Sequence, residues 1–285
     1  MSGTHFSKNI HWFPGHMKKA LVELQEKVKL VDLIIEILDA RAPFSSRNKY
    51  FTNITKDKKR LIILNKKDIA DLSNFDKNAA KLNDFDVVIE SNLTNKSDYK
   101  NLFNEITKIS DERKDKFLKK GMKPQLLRAM VIGIPNVGKS SFINYLNNKN
   151  SAAVGNTPGF TKANKWIKVE NLFYLLDTPG ILPPNYEDDK TKVNLALLGS
   201  IKQEILPIDL LANELLEIIK ENYLEEFNLK YSTNFEKNSS SAEIFEIIAE
   251  KRGYLLKGGE PDIEKSQNLL LNDFKNGKIC KVLLD

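Results

Sequence analysis

The octapeptide Gly133-Ile134-Pro135-Asn136-Val137-Gly138-Lys139-Ser140 constrains this chain more than any other segment. It satisfies the G-x-x-x-x-G-K-[ST] pattern in full. The apolar run Leu127–Ile132 precedes it, and Phe142, Ile143 and Leu146 follow at helical spacing. A strand, a glycine loop and a helix in that order belong to an α/β fold. In such a loop Gly138 lets the backbone curl, so that N–H groups face phosphate oxygens at a helix N-terminus. Lys139 places a point charge between the terminal phosphates, and the Ser140 hydroxyl is poised to ligate Mg²⁺. Asn136, Val137, Gly138, Lys139, Ser140 and Ser141 are therefore candidate nucleotide-binding residues.

Other apolar runs read as buried parallel strands: Val31–Ala40, Leu61–Leu64, Val87–Ile89 and Leu172–Leu176. Trp166–Val169 reads as an additional strand that can lie antiparallel beside the last. Met17, Ala20, Leu21, Leu24 and Val28 keep helical spacing, as do Tyr99, Leu102, Phe103, Ile106 and Ile109. The alternation predicts a P-loop NTPase fold, doubly wound around a mostly parallel sheet, over residues 1–184. The densely charged run Asp111–Lys123 reads as a solvated connector between two α/β elements. Beyond Pro183-Pro184 the spacing of Leu210, Leu211, Leu215, Ile218 and Ile219, and of Ile244, Phe245, Ile247 and Ile248, is helical. Residues 185–285 are expected to form a small all-helical domain, with Tyr231–Ser241 as a loop.

Composition excludes several classes. With 285 residues, 41% hydrophobic and 29% charged, the chain suits one large or two modest globular domains. A single cysteine, Cys280, rules out an internal disulfide framework or a cysteine-built zinc cluster. No leader pattern and no apolar stretch near the ~20 residues of a membrane helix are evident. A cytoplasmic protein with no membrane partner is expected, and a monomer. Charge is uneven. Residues 1–182 hold 31 Lys and Arg against 19 Asp and Glu, and the rest hold 13 against 19. The first part suits polyphosphate surfaces such as RNA, or is simply a lysine-rich solvated face.

Four further segments carry chemistry. Asp177-Thr178-Pro179-Gly180 ends the strand Phe173–Leu176, where a carboxylate can hold Mg²⁺ through water and the Gly180 amide can reach a terminal phosphate. Thr161, in Thr157-Pro158-Gly159-Phe160-Thr161, could complete the Mg²⁺ shell as part of a switch loop. Asn65-Lys66-Lys67-Asp68 follows Leu61–Leu64. There the Asp68 carboxylate can accept from guanine N1–H and N2–H₂, donors that adenine lacks. Lys66 can lay its aliphatic stem along the base, and Asn65 can tie loops together. Ser91-Asn92-Leu93 could supply an amide to guanine O6. The order is unusual, because the base motif precedes the phosphate loop. Either one match is accidental or the fold has been circularly permuted. Each motif follows its own apolar strand, so all can meet at one sheet edge whatever their order.

This set, in the order base motif, phosphate loop, switch threonine and Asp-x-x-Gly, resembles the circularly permuted GTPases of the YlqF/YawG class. Trp12-Phe13-Pro14-Gly15-His16-Met17 and Asp39-Ala40-Arg41-Ala42-Pro43 add to the likeness, which covers nearly the whole length. The resemblance implies binding of GTP and GDP, and hydrolysis that is slow alone and stimulated by a ribosomal particle. It implies large-subunit precursors and their rRNA as partners, contacted by both domains. It also brings catalytic expectations. Ras-like enzymes carry a glutamine just after Asp-x-x-Gly, and here that position is Ile181. His16, on an N-terminal loop, is the group the family supplies instead to orient water, beside Lys139 and Thr161. Asn136 resembles the asparagine of potassium-dependent GTPases, which makes K⁺ a second candidate cation. The competing reading is a nucleotide-gated RNA-binding switch with incidental hydrolysis, and an ATPase stands further off.

Overall fold

The structure, a computed structural model, describes residues 15–84, 86–148, 152–153, 166–178, 180, 182, 188–201 and 206–285; for 15–21, 147–148 and 152–153 it describes the backbone only. The chain divides into two compact units. One comprises Met1–Lys67 with Asn74–Tyr186, and the other Asp68–Ser73 with Glu187–Asp285.

In the first unit the elements are α1 (Gly15–Lys29), β1 (Leu33–Asp39), α2 (Lys49–Ile54), β2 (Lys59–Asn65), β3 (Val87–Ser91), α3 (Lys96–Lys119), β4 (Leu127–Ile132), α4 (Lys139–Asn148), β5 (Ala152–Ala153), β6 (Trp166–Val169) and β7 (Phe173–Leu176). The strands form one sheet in the order β3-β2-β1-β4-β7-β6-β5. From β3 to β7 every neighbouring pair is parallel, and β6 and β5 add on antiparallel. Parallel strands covered on both faces read as unbroken apolar runs, which is why β1, β2 and β4 stood out in the sequence. Each buried Leu or Ile there contributes about 1.5–3 kcal/mol relative to exposure. Every residue of β1 is buried, Glu36 and Asp39 included. Glu36 is not orphaned: Arg47 Nη2 donates to it at 3.1 Å and to the Ala80 carbonyl at 2.8 Å. Among the described residues no helix is long and apolar enough to cross a membrane.

Two sequence expectations change here. Most of the run Asp111–Lys123 is not a connector but helix, because α3 continues through Lys119 and only the last four residues lie beyond it. Its polar turns are held by Lys108–Glu105 and Lys114–Asp111 pairs one turn apart and by Arg113, which pairs with Asp32 at 3.0 Å. His16 does not lie in a loop either, since its backbone belongs to the first turn of α1.

The second unit is helical: α5 (Asp189–Leu197), α6 (Ile208–Asn222), α7 (Leu224–Tyr231), α8 (Ser241–Lys251) and α9 (Ile263–Lys275). Side chains of Asp188, Ser240 and Asp262 cap α5, α8 and α9. The core is built from Leu211, Leu215, Leu216 and Ile219 of α6, Ile244, Phe245 and Ile248 of α8, and Leu270, Leu271 and Phe274 of α9. The short segment 68–73 is stitched to the C-terminal tail. Val282 N–H donates to the Ile69 carbonyl at 3.3 Å, and the Tyr223 hydroxyl donates to Asp71 at 3.2 Å while accepting from Leu283 N–H at 3.0 Å.

Candidate nucleotide site

Four of the sequence motifs meet at the carboxyl edge of the parallel strands, where doubly wound sheets bind ligands. The octapeptide connects β4 to α4 as a tight loop. Gly138 has φ +109°, and a Cβ there would overlap the Asn65 side-chain amide. Asn136 adopts the left-handed region at φ +64°. Such a backbone is costly for a side chain other than glycine, though asparagine tolerates it best.

Asn65, the last residue of β2, joins two loops. Its Nδ2 donates to the Val137 carbonyl at 2.7 Å, and its Oδ1 accepts from Leu93 N–H at 2.9 Å. The neighbouring lysines are each tied to a carboxylate. Lys66 Nζ lies 2.6 Å from Asp39 Oδ2, and Lys67 Nζ lies 2.8 Å from Asp98 Oδ1. Asp98 also accepts from Asn92 N–H at 2.6 Å, and the Tyr99 hydroxyl donates to the Leu93 carbonyl at 2.8 Å. Ser91 is buried at the end of β3, Asn92 is half-buried and Asp68 is exposed.

Lys139 is buried, and in this structure its Nζ donates to the Ile134 carbonyl at 2.6 Å. Burial pulls its pKa down to about 8, against the charge of Asp177, which raises it. Gly180 closes on the same loop: a Cβ there would stand 2.8 Å from Lys139 Nζ and 3.2 Å from Pro135 N. The Thr178 hydroxyl donates to the Val131 carbonyl of β4, which holds Thr178 against the strand below the loop. Ser140 and Ser141 are exposed in the first turn of α4. Thr161, Ile181 and the side chain of His16 lie outside the described residues.

The Ser140 hydroxyl and the Asp177 carboxylate are hard-oxygen groups of the kind Mg²⁺ accepts when substrate phosphates and water complete its shell. No group of three or more His, Cys, Asp or Glu that could hold a metal occurs among the described residues.

The lysine anchors escaped the sequence reading. Asp39 is wholly buried, yet Arg41 donates to it through its backbone N–H at 3.1 Å, Nε at 3.0 Å and Nη2 at 2.9 Å. Burial raises its pKa, but the Arg41 bonds and charge, with Lys66, outweigh this and hold the carboxyl below its ordinary value. A carboxylate ending an apolar strand, two residues before an arginine, was the available signal.

Comparison with known proteins adds to this geometry. Residues 128–238 match the family described as "50S ribosome-binding GTPase". The chain is 39% identical to ribosome biogenesis GTPase A of Bacillus licheniformis, covering 94% of this chain and 95% of that protein. It is 32% identical to the probable ribosome biogenesis GTPase A of Mycoplasma genitalium, covering 98% and 97%. The solved GNP-bound YlqF from T. maritima superposes with a TM-score of 0.57 at 29% identity, over 94% of this chain and 97% of that one.

Proposed function

The chain belongs to the ribosome biogenesis GTPase A family of circularly permuted GTPases, and from that premise we propose that it acts in late maturation of the large (50S) ribosomal subunit. It is a GTPase, turning GTP and water into GDP and phosphate. The observation that best supports a guanine-nucleotide site is the pair of Asn65 bonds, which lock the base motif to the phosphate loop and to Ser91-Asn92-Leu93.

In this reading the amides of Asn136 through Ser141 wrap the phosphates, and Lys139 leaves the Ile134 carbonyl to sit between the terminal ones. Asp68 accepts from the guanine edge, Lys66 lies along the base, and Ser91 and Asn92 face O6. Ser140, Thr161 and Asp177, the last through water, would hold Mg²⁺, which neutralises charge on the β- and γ-phosphates. Gly180 reports on the γ-phosphate. Phosphoryl transfer to water needs positioning more than covalent chemistry. His16 would orient that water, since isoleucine at position 181 cannot hydrogen-bond it. We expect His16→Ala to keep GTP affinity and to lose particle-stimulated hydrolysis; an unchanged stimulated rate would remove His16 from the mechanism. K⁺ near Asn136 would supply charge beside the phosphates, and equal hydrolysis rates in KCl and NaCl would exclude it.

The basic balance of residues 1–182 supports contact with rRNA, and the helical unit offers a second contact surface despite its acidic balance. The protein would act as a cytoplasmic monomer on the precursor particle. The test is GTP hydrolysis alone and with large subunits, small subunits and naked RNA. Stimulation by large-subunit precursors alone supports the reading. Nucleotide-dependent RNA binding with an unstimulated rate would favour a nucleotide-gated switch instead.

A further inference from the structure

Lys66 has backbone φ +66°, a left-handed conformation uncommon for a lysine. Two backbone bonds brace the turn: Ala40 N–H donates to the Asn65 carbonyl at 2.8 Å, and Lys67 N–H donates to the Ser91 carbonyl at 3.2 Å. The side chain is 27% exposed, while its ammonium lies 2.6 Å from a carboxylate that is 1% exposed. The ammonium is therefore tied to a buried carboxylate, which fixes the far end of the methylene stem.

We propose that Asp39, held by Arg41, is a positioning residue that anchors the Lys66 ammonium, so that the lysine stem forms a fixed shelf for the guanine base. Three features support this. Asp39 ends β1 in direct register with Asn65 of β2, so the carboxylate is delivered beside the base motif by parallel pairing. Arg41 fills both carboxylate oxygens from one side and fixes their orientation. Lys66 then donates to Oδ2, which it shares with Arg41 Nη2. A free lysine loses rotamer entropy when it settles along a base, whereas an anchored one has lost it before the ligand arrives. The pair would thus act on nucleotide affinity rather than on the phosphoryl-transfer step.

The inference rests on the guanine-nucleotide reading of this loop. Its test is a double-mutant cycle with Asp39→Asn and Lys66→Met, read by GDP affinity and by KM and kcat for GTP. Lys66→Met keeps the stem and removes the anchored head. We expect each single change to raise KM and the GDP dissociation constant by about tenfold. The double variant should be no worse than either, and kcat for Asp39→Asn should stay within about twofold. If Asp39→Asn does not fold, Lys66→Met alone decides: GDP affinity equal to wild type overturns the anchor. Fully additive losses in the double variant also overturn it, because Asp39 would then act by another route. A wild-type protein that binds no GDP would refute the site itself, a result distinct from either of these.

Discussion

Lys139 illustrates how one buried group makes ligand binding depend on pH. Its pKa in the unliganded site is about 8, against an ordinary 10.5. Nucleotide phosphates require the ammonium form, so above pH 8 binding must take up a proton. The association constant for GDP should be flat in this group below pH 8 and fall by up to about tenfold per pH unit above it. Titration calorimetry in buffers of different ionisation enthalpy measures that proton directly. For folding of the unliganded protein the sign is opposite. Between pH 8 and 10.5 the unfolded chain binds more protons here, so this group adds stability as pH rises. Gly138 gives a second test at this scale. An alanine there must adopt φ +109° and meet the Asn65 amide. Gly138→Ala should cost about 1–3 kcal/mol in thermal unfolding and remove GDP binding.

At the scale of elements, the Tyr223 hydroxyl joins α6 to two other pieces of its unit, Asp71 and Leu283. Burial is the main reason its pKa is pushed up to about 12, so it serves there as a neutral phenol. Tyr223→Phe leaves the Leu283 N–H without this acceptor and removes one of three bonds to Asp71, whose other two come from Ser73, and should lower unfolding free energy by about 0.5–1.5 kcal/mol in denaturant titration. Strands were the most legible elements, because β1, β2 and β4 are buried on both faces and leave a plain apolar signature. The long α3 was only half legible. Its apolar stripe ends at Ile109 and its last turns stand on charged pairs that mimic a loop composition. Helix α9 was missed because Ser266, Gln267 and Asp273 occupy buried positions and break the apolar rhythm. Asp273 is acceptable there because the Tyr231 hydroxyl donates to it at 3.0 Å. In α5 the run Val193–Leu197 is buried on every side, so no period exists to detect. The convergence of the loops at the sheet edge could be anticipated from the strand before each motif. For the Asp39–Lys66 anchor the one signal was a strand-end carboxylate two residues before an arginine, and nothing in the apolar pattern marks which such carboxylate will find a lysine.

Considered as a whole molecule, the chain has the segment proposed to read guanine before the phosphate loop, yet the sheet brings both to one edge. Order along the chain matters little when every motif rides on its own parallel strand. Residues 1–182 are basic and those beyond are acidic, so the RNA contact proposed above falls chiefly to the first stretch. The central claim is that these separated motifs make one guanine-nucleotide site. Asp68→Asn tests it most directly. Guanine offers two donors to a carboxylate, whereas xanthine carries a carbonyl where guanine carries the amino group. An amide, with one donor and one acceptor, matches xanthine. Steady-state hydrolysis of GTP and XTP by Asp68→Asn should show GTP turnover lost and XTP turnover gained, with the thermal midpoint preserved. An unchanged KM for GTP in that variant would contradict the account.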